Sequence, residues 1–234
     1  MDETLPLILI PGLLCTAAVW EPQIAALRDI AAPTVTMAHT RHALMQDIAA
    51  AILAAAPPRF ALAGFSMGGY IAFEILRQAR ERVARLALLD TSARADLPEQ
   101  ASRRRGLMTL AHMGKFKGVT PQLLPFLVHP GRLADEDLVG RITDMAHEVG
   151  QEGFLRQQEA ILGRPDSRDE LAAIACPTLV LCGAEDQLTP PERAREMAAG
   201  ILGARLVLIP DCGHMAPLER PAAVNDALKA WLRA

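Results

Sequence analysis

Phe60-Ala-Leu-Ala-Gly-Phe-Ser-Met-Gly-Gly69 joins a short apolar run to a helical pattern through the pentapeptide Gly64-x-Ser66-x-Gly68. Upstream, 59–63 reads as a buried strand. Downstream, Ile71, Ile75 and Leu76 recur at helical spacing, with Glu74, Arg77 and Gln78 left for solvent. A serine on so sharp a strand-to-helix turn must take strained backbone angles, and only small neighbours such as Gly64 and Gly68 leave room for it. Its hydroxyl then stands exposed at a helix N-terminus, where unpaired N–H groups, including that of Met67, can stabilise a developing oxyanion. The pentapeptide alone carries little weight in a chain with 16 glycines. Strand, turn and helix in that order make it a nucleophile elbow and make Ser66 a candidate nucleophile.

Working outward, short apolar runs alternate with amphipathic helical stretches. Strands are expected at 7–10, 34–37, 59–63, 86–89, 178–182 and 206–209, and helices at 19–28, 42–55, 67–79, 191–199 and 222–232. Such alternation predicts an α/β fold with a parallel sheet and helices on both faces. Runs such as LILI and LVLLC lack a two-residue period, as expected of strands covered on both sides. The alternation stops over 91–173, where helical patterns follow one another. Prolines and glycines cut its first half into short pieces, whereas 135–149 and 152–162 read as longer amphipathic helices. The expected organisation is a core of 1–90 and 174–234 with a helical cap inserted at 91–173.

The 234-residue length fits one domain with an insertion. An apolar content of 51% with only 4% aromatic residues favours a helix-rich globular protein over an all-β one. A formal net charge of −3 gives no reason to expect nucleic acid or an anionic membrane as partner. The N-terminal run of 5–10 follows an acidic start and is too short for a signal segment or a membrane span, so a soluble, cytoplasmic protein is expected. Cys15, Cys176, Cys182 and Cys212 form no C-x-x-C pair, so reduced, buried thiols are the default.

A serine nucleophile needs a base and an orienting acid on loops at the C-terminal ends of later strands. Asp186 follows TLVLC in Gly183-Ala-Glu-Asp-Gln-Leu-Thr-Pro190, and His214 follows LVLIP in Asp211-Cys-Gly-His-Met-Ala-Pro217. Glu185 and Asp211 are rival acids, and Asp186 also suits a turn or cap before Pro190. Asp90, at the end of the strand before the cap, is a minor candidate for a structural or alternative acid. His39, His42, His112, His129 and His147 are expected on surfaces or in the cap, and they form no metal-ligand pattern with the cysteines.

From near its first residue to its last, the chain resembles the α/β-hydrolase superfamily. The likeness is carried by Gly64-Phe-Ser-Met-Gly68, by the G-x-x-D-x-x-x-P pattern of 183–190, and by Gly213-His214 followed by Glu219-Arg-Pro221. It implies that Ser66 attacks an acyl carbon, that His214 serves as base and then acid, and that Asp186 holds the imidazole tautomer. It places the oxyanion hole at the backbone N–H groups of Met67 and Leu13, the latter after Pro11-Gly12 where relatives usually have His-Gly. Trp20 matches a tryptophan common in the next helix, with a packing role. Relatives usually carry a hairpin before the first core strand; this sequence starts almost at that strand, so the sheet is expected to have about six strands and one edge exposed or covered by a partner.

Serine at the elbow argues against the dehalogenases and epoxide hydrolases of the superfamily, which use aspartate there. It implies acyl chemistry on a small-molecule carboxylic ester, lactone or thioester through an acyl-enzyme. The style of the motifs resembles small bacterial esterases and enol-lactonases. Carbon–carbon bond hydrolysis, acyl transfer or perhydrolysis, and ligand binding without turnover are the alternatives. No metal, flavin, nucleotide or other cofactor is implied. Leu14, Cys15, Phe116, Phe126 and Phe154 are candidates to line an acyl pocket, though core packing accounts for them as well. Substrate and oligomeric state are not readable from one chain.

Overall fold

The apolar run at 60–65 sits at the centre of the molecule because neither of its faces reaches water. In a computed structural model describing residues 5–234, it forms β3 (Phe60–Phe65), every residue of which is buried. The other strands are β1 (Pro6–Ile10), β2 (Ala32–Val35), β4 (Val83–Leu89), β5 (Thr178–Gly183) and β6 (Arg205–Ile209). They form one sheet in the order β2-β1-β3-β4-β5-β6, with every pairing parallel. The expected six-stranded parallel sheet is therefore present. Its interior strands β3 and β5 are buried along their whole length, whereas edge strands β2 and β6 are half-exposed, as expected of a sheet sandwiched between helices.

Helices α1 (Glu21–Leu27), α2 (Met45–Ala55) and α3 (Met67–Ala79) follow the first three strands. After β4 come α4 (Pro98–Leu110), α5 (Leu124–Leu127), α6 (Glu136–Leu162), α7 (Pro191–Gly200), α8 (Ala216–Glu219) and α9 (Pro221–Arg233). The strand period of two divides the core. On β1, Leu7 and Leu9 point into one apolar cluster, with Trp20, Leu228 and Trp231 from the side of α1 and α9; Ile8 and Ile10 point into the other, with Ile48, Ile71 and Met197 from α2, α3 and α7. Helix α9 shows why it docks: Val224, Ala227, Leu228 and Trp231 are buried at helical spacing, and Pro221 sits where a missing N–H costs nothing.

The chain leaves β1 toward one face and β3 toward the other, so the loops after these neighbouring strands diverge. Ligands in open parallel sheets bind at such a switch point, beyond the carboxyl ends of the strands. Backbone strain collects on the same rim. The four non-glycine residues with positive φ among those described are Leu14, Ser66, Asp90 and Asp211, each just past the end of a strand.

Between β4 and β5 the chain is helical, without a strand. The two amphipathic stretches expected at 135–149 and 152–162 form one run, α6, with non-helical angles at Gly150. Asp135 caps it, its carboxylate accepting from the Leu138 N–H at 3.0 Å. One expectation needs correction: Glu74 is buried, not left for solvent, because its carboxylate pairs with Arg77 at 3.0 Å and accepts from Gln78, also at 3.0 Å. No described helix is long and apolar enough to cross a membrane.

Candidate active site

Ser66 lies between β3 and α3 with φ 53° and ψ −115°, a conformation that L-residues rarely adopt. Its N–H donates to the Leu89 carbonyl at 2.9 Å, and its carbonyl accepts from the Thr91 hydroxyl at 2.8 Å. The elbow is thus tied to the end of β4 on both sides. A Cβ at Gly68 would collide with the Ile10 carbonyl oxygen, and one at Gly64 with the Gly68 carbonyl. The obstructing groups are backbone, which cannot rotate aside.

The loops after β5 and β6 bring Asp186 and His214 to Ser66. His214 Nε2 lies 2.9 Å from Ser66 Oγ, and His214 Nδ1 lies 2.8 Å from Asp186 Oδ2. Asp186 is acceptor-only when ionised, so Nδ1 carries the ring proton and Nε2 presents a lone pair to the serine hydroxyl. Asp186 is anchored independently. Its Oδ1 accepts from the N–H groups of Leu188 at 2.8 Å and Thr189 at 3.0 Å, and its Oδ2 from the Thr189 hydroxyl at 2.7 Å.

The rival acids are engaged elsewhere. Glu185 accepts from the Cys212 N–H at 2.9 Å, pinning the loop that bears His214, and the Asp211 side chain is exposed beside Arg220. Three supports of the site were given no role from the sequence, although Glu219 stood in one of the quoted motifs. Thr189 was part of a matched motif without a role of its own. Glu219, 1% exposed, accepts from Met215 N–H at 3.1 Å and His129 N–H at 2.7 Å. The Leu127 carbonyl accepts from the N–H groups of His214 and Met215. Phe65 stacks at a tilt against the imidazole, ring centroids 5.5 Å apart.

The loop after β1 turns at 12–15, closed by a Cys15 N–H bond to the Gly12 carbonyl at 3.2 Å. The Cβ of Ser66 lies 3.1 Å from where a Cβ on Gly12 would stand, so this loop abuts the elbow. Among the described residues, the N–H groups of Leu13 and Met67 donate to no protein acceptor. Of the pocket candidates, Leu14 packs with Phe154 and Phe116, the two phenyl rings 5.2 Å apart. Cys15 is buried toward Trp20 and β1. Phe126 is 39% exposed and joins none of these clusters.

Burial dominates the electrostatics beneath the site. One oxygen each of Asp90 and Asp186 and the sulfur of Cys182 lie within 4.8 Å of one another, all buried. Loss of hydration, followed by repulsion from the nearby Asp186, holds the Asp90 carboxyl well above the usual carboxylate range. Burial likewise raises all four thiols, that of Cys15 to about 12, which removes the thiolate on which reactivity depends.

His39 overturns the expectation that it lies on a surface or in the cap. It is 0% exposed, and its Nε2 lies 3.1 Å from the Cys15 carbonyl, to which it donates. Burial lowers its pKa from 6.5 to about 4. Because the folded-state value is the lower one, the unfolded chain takes up the proton first on acidification. The stability involved, about 3 kcal/mol at 1.36 per unit, is complete above pH 6.5 and lost as pH falls through about 4. Urea unfolding of His39→Gln between pH 7 and 4 should therefore show a shallower loss of stability than wild type, and parallel curves would refute it.

A family profile described as the alpha/beta hydrolase family matches residues 7–227. The chain belongs to that family of hydrolases. Among solved structures, a thermophilic esterase from Thermogutta terrifontis is 32% identical with a TM-score of 0.87, covering 98% of this chain and 89% of that one. The enol-lactonase from Burkholderia xenovorans LB400 is 26% identical with a TM-score of 0.88, covering 99% and 93%. A Mycobacterium tuberculosis (strain CDC 1551 / Oshkosh) protein provisionally named the non-heme bromoperoxidase BpoC is 32% identical over 216 residues, 86% of this chain and 78% of that protein.

Proposed function

We propose that the protein is a serine hydrolase that cleaves a carboxylic ester, lactone or thioester of a small acyl substrate through an acyl-enzyme. The observation carrying this reading is the continuous chain from Ser66 Oγ through the imidazole to Asp186, with links of 2.9 and 2.8 Å. In the proposed cycle Ser66 attacks the acyl carbon as its proton passes to His214 Nε2. The N–H groups of Leu13 and Met67 stabilise the oxyanion, and His214 then protonates the leaving group. Water activated by His214 releases the acid and frees Ser66. Asp186 fixes the tautomer and stabilises the imidazolium throughout. Residues 91–173 act as a cap on the core formed by 1–90 and 174–234, with Leu14, Phe116 and Phe154 bordering the acyl group.

A second reading concerns the step after acylation. The likeness to a relative named a bromoperoxidase favours asking whether hydrogen peroxide competes with water for the acyl-enzyme, giving a peracid in place of the acid. The assay is burst-phase hydrolysis of short-chain p-nitrophenyl esters by wild type and Ser66→Ala, with and without peroxide. A fluorophosphonate label located by mass spectrometry accompanies it. Turnover should fall by several orders of magnitude in the variant and the label should map to Ser66. A variant as active as wild type, or a label on another residue, would sink the proposal.

A further inference from the structure

Leu14 holds a φ of 58°, which a leucine does not adopt without constraint. Its N–H donates to Gln157 Oε1 at 3.1 Å, across 143 residues of sequence. Gln157 belongs to α6, beyond the break at Gly150, and is 0% exposed. The next residue is held from another side, since His39 donates to the Cys15 carbonyl. These two supports are themselves joined, as Arg156 Nε donates to the Thr40 carbonyl at 2.9 Å, linking α6 to the turn that carries His39. Gln157 Nε2 and His39 Nδ1, both buried, have no partner among the described residues. A side chain kept only to fill space would shed such polar atoms, because burying them unpaired is costly. What both side chains supply is one hydrogen bond each to the same four-residue turn.

We infer that Gln157 is a positioning residue for the oxyanion hole: it locks Leu14 in its strained conformation and so fixes the neighbouring Leu13 N–H toward Ser66, with His39 bracing the turn from the other side. The inference rests on the serine-hydrolase reading, in which Leu13 provides one of the two oxyanion donors. A donor in that position acts only if it meets the oxygen in the transition state, and small misplacements of catalytic groups are disproportionately costly. The helix α6 therefore reaches beyond shaping a pocket. It sets the geometry of a catalytic N–H through a single amide side chain.

The test compares wild type, Gln157→Met, which keeps the bulk and loses the acceptor, and Gln157→Glu, which keeps an acceptor. Backbone amide exchange followed by NMR reads the turn, and ester turnover reads the hole. In Gln157→Met the Leu14 amide should exchange at least about tenfold faster while amides of β3 and β4 do not change. Its kcat should fall about tenfold or more with KM held within about threefold. Gln157→Glu should recover most of both. Unchanged Leu14 exchange, or a folded Gln157→Met with wild-type kcat, overturns the inference. If Gln157→Met does not fold, the wild type decides, since a Leu14 amide exchanging like an unbonded loop amide overturns it as well. A wild type without turnover and without Ser66 labelling defeats the hydrolase reading and the oxyanion role together, and the exchange rates still report separately whether Gln157 holds the turn.

Discussion

Asp186→Asn is expected to lower kcat by about four orders of magnitude on any ester the wild type hydrolyses, with little change in KM. The amide keeps the shape and can still accept from Leu188 and Thr189 N–H, which now bind Asp186 Oδ1. It can also turn an N–H toward His214 Nδ1. That moves the ring proton to Nε2, which then offers Ser66 a donor where a base is needed. The rival carboxyls provide the contrast. Glu185→Gln loosens the Cys212 anchor and should affect stability more than kcat. Asp90→Asn puts a neutral amide where burial already disfavours the charged carboxylate, and should leave kcat within a few-fold. Steady-state kinetics normalised to active sites titrated with fluorophosphonate makes the comparison, and an Asp186→Asn rate within tenfold of wild type would assign the acid elsewhere.

Gly68→Ala is expected to cost far more stability than an ordinary methyl addition. The new Cβ would stand against the Ile10 carbonyl oxygen and 3.0 Å from that of Pro11, so β1 and α3 would have to separate. Overpacking against movable side chains costs about 1–3 kcal/mol. Against backbone the cost should be at least the upper figure, a melting-temperature loss of about 10 °C for a chain of this size. Gly106→Ala is the control. It lies in α4 with nothing within 4 Å of an added Cβ, so it should gain about 0.5–1 kcal/mol from helix propensity. Differential scanning calorimetry of the two variants decides it: a Gly68→Ala melting point within about 2 °C of wild type would mean that the close approach is not a constraint.

The sheet and the juxtaposed Ser66, Asp186 and His214 were legible in the sequence because each is announced locally. An apolar run without alternation marks a strand covered on both faces, Gly64-x-Ser66-x-Gly68 demands its turn, and Asp186 and His214 each follow such a run directly. Boundaries shifted where local pattern and tertiary pairing disagree. Strand β2 begins at Ala32, two residues before the expected 34, because its ladder with β1 starts at the Pro6–Ala32 pair. Gln157 drew no reading and His39 was expected on a surface or in the cap, for a different reason. A glutamine on an amphipathic helix and a histidine in a loop have the composition of solvent-facing residues, and only the folded chain places them on the turn at 12–15. Glu74 misled in the same way, because its partners Arg77 and Gln78 lie on its own helix and bury it in a charged cluster.

The four strained residues at the ends of β1, β3, β4 and β6 have a bearing on engineering. A chain that concentrates its unfavourable backbone angles on one rim leaves the opposite rim, among the described residues, free of them, and proteins commonly gain heat resistance where nothing functional is at stake. Substitutions that relax Leu14, Ser66, Asp90 or Asp211 would yield a sturdier molecule by spending the geometry of its own chemistry. Stabilising changes belong instead at the amino ends of the strands and on α9, where the same scaffold can be hardened without touching what it holds in tension.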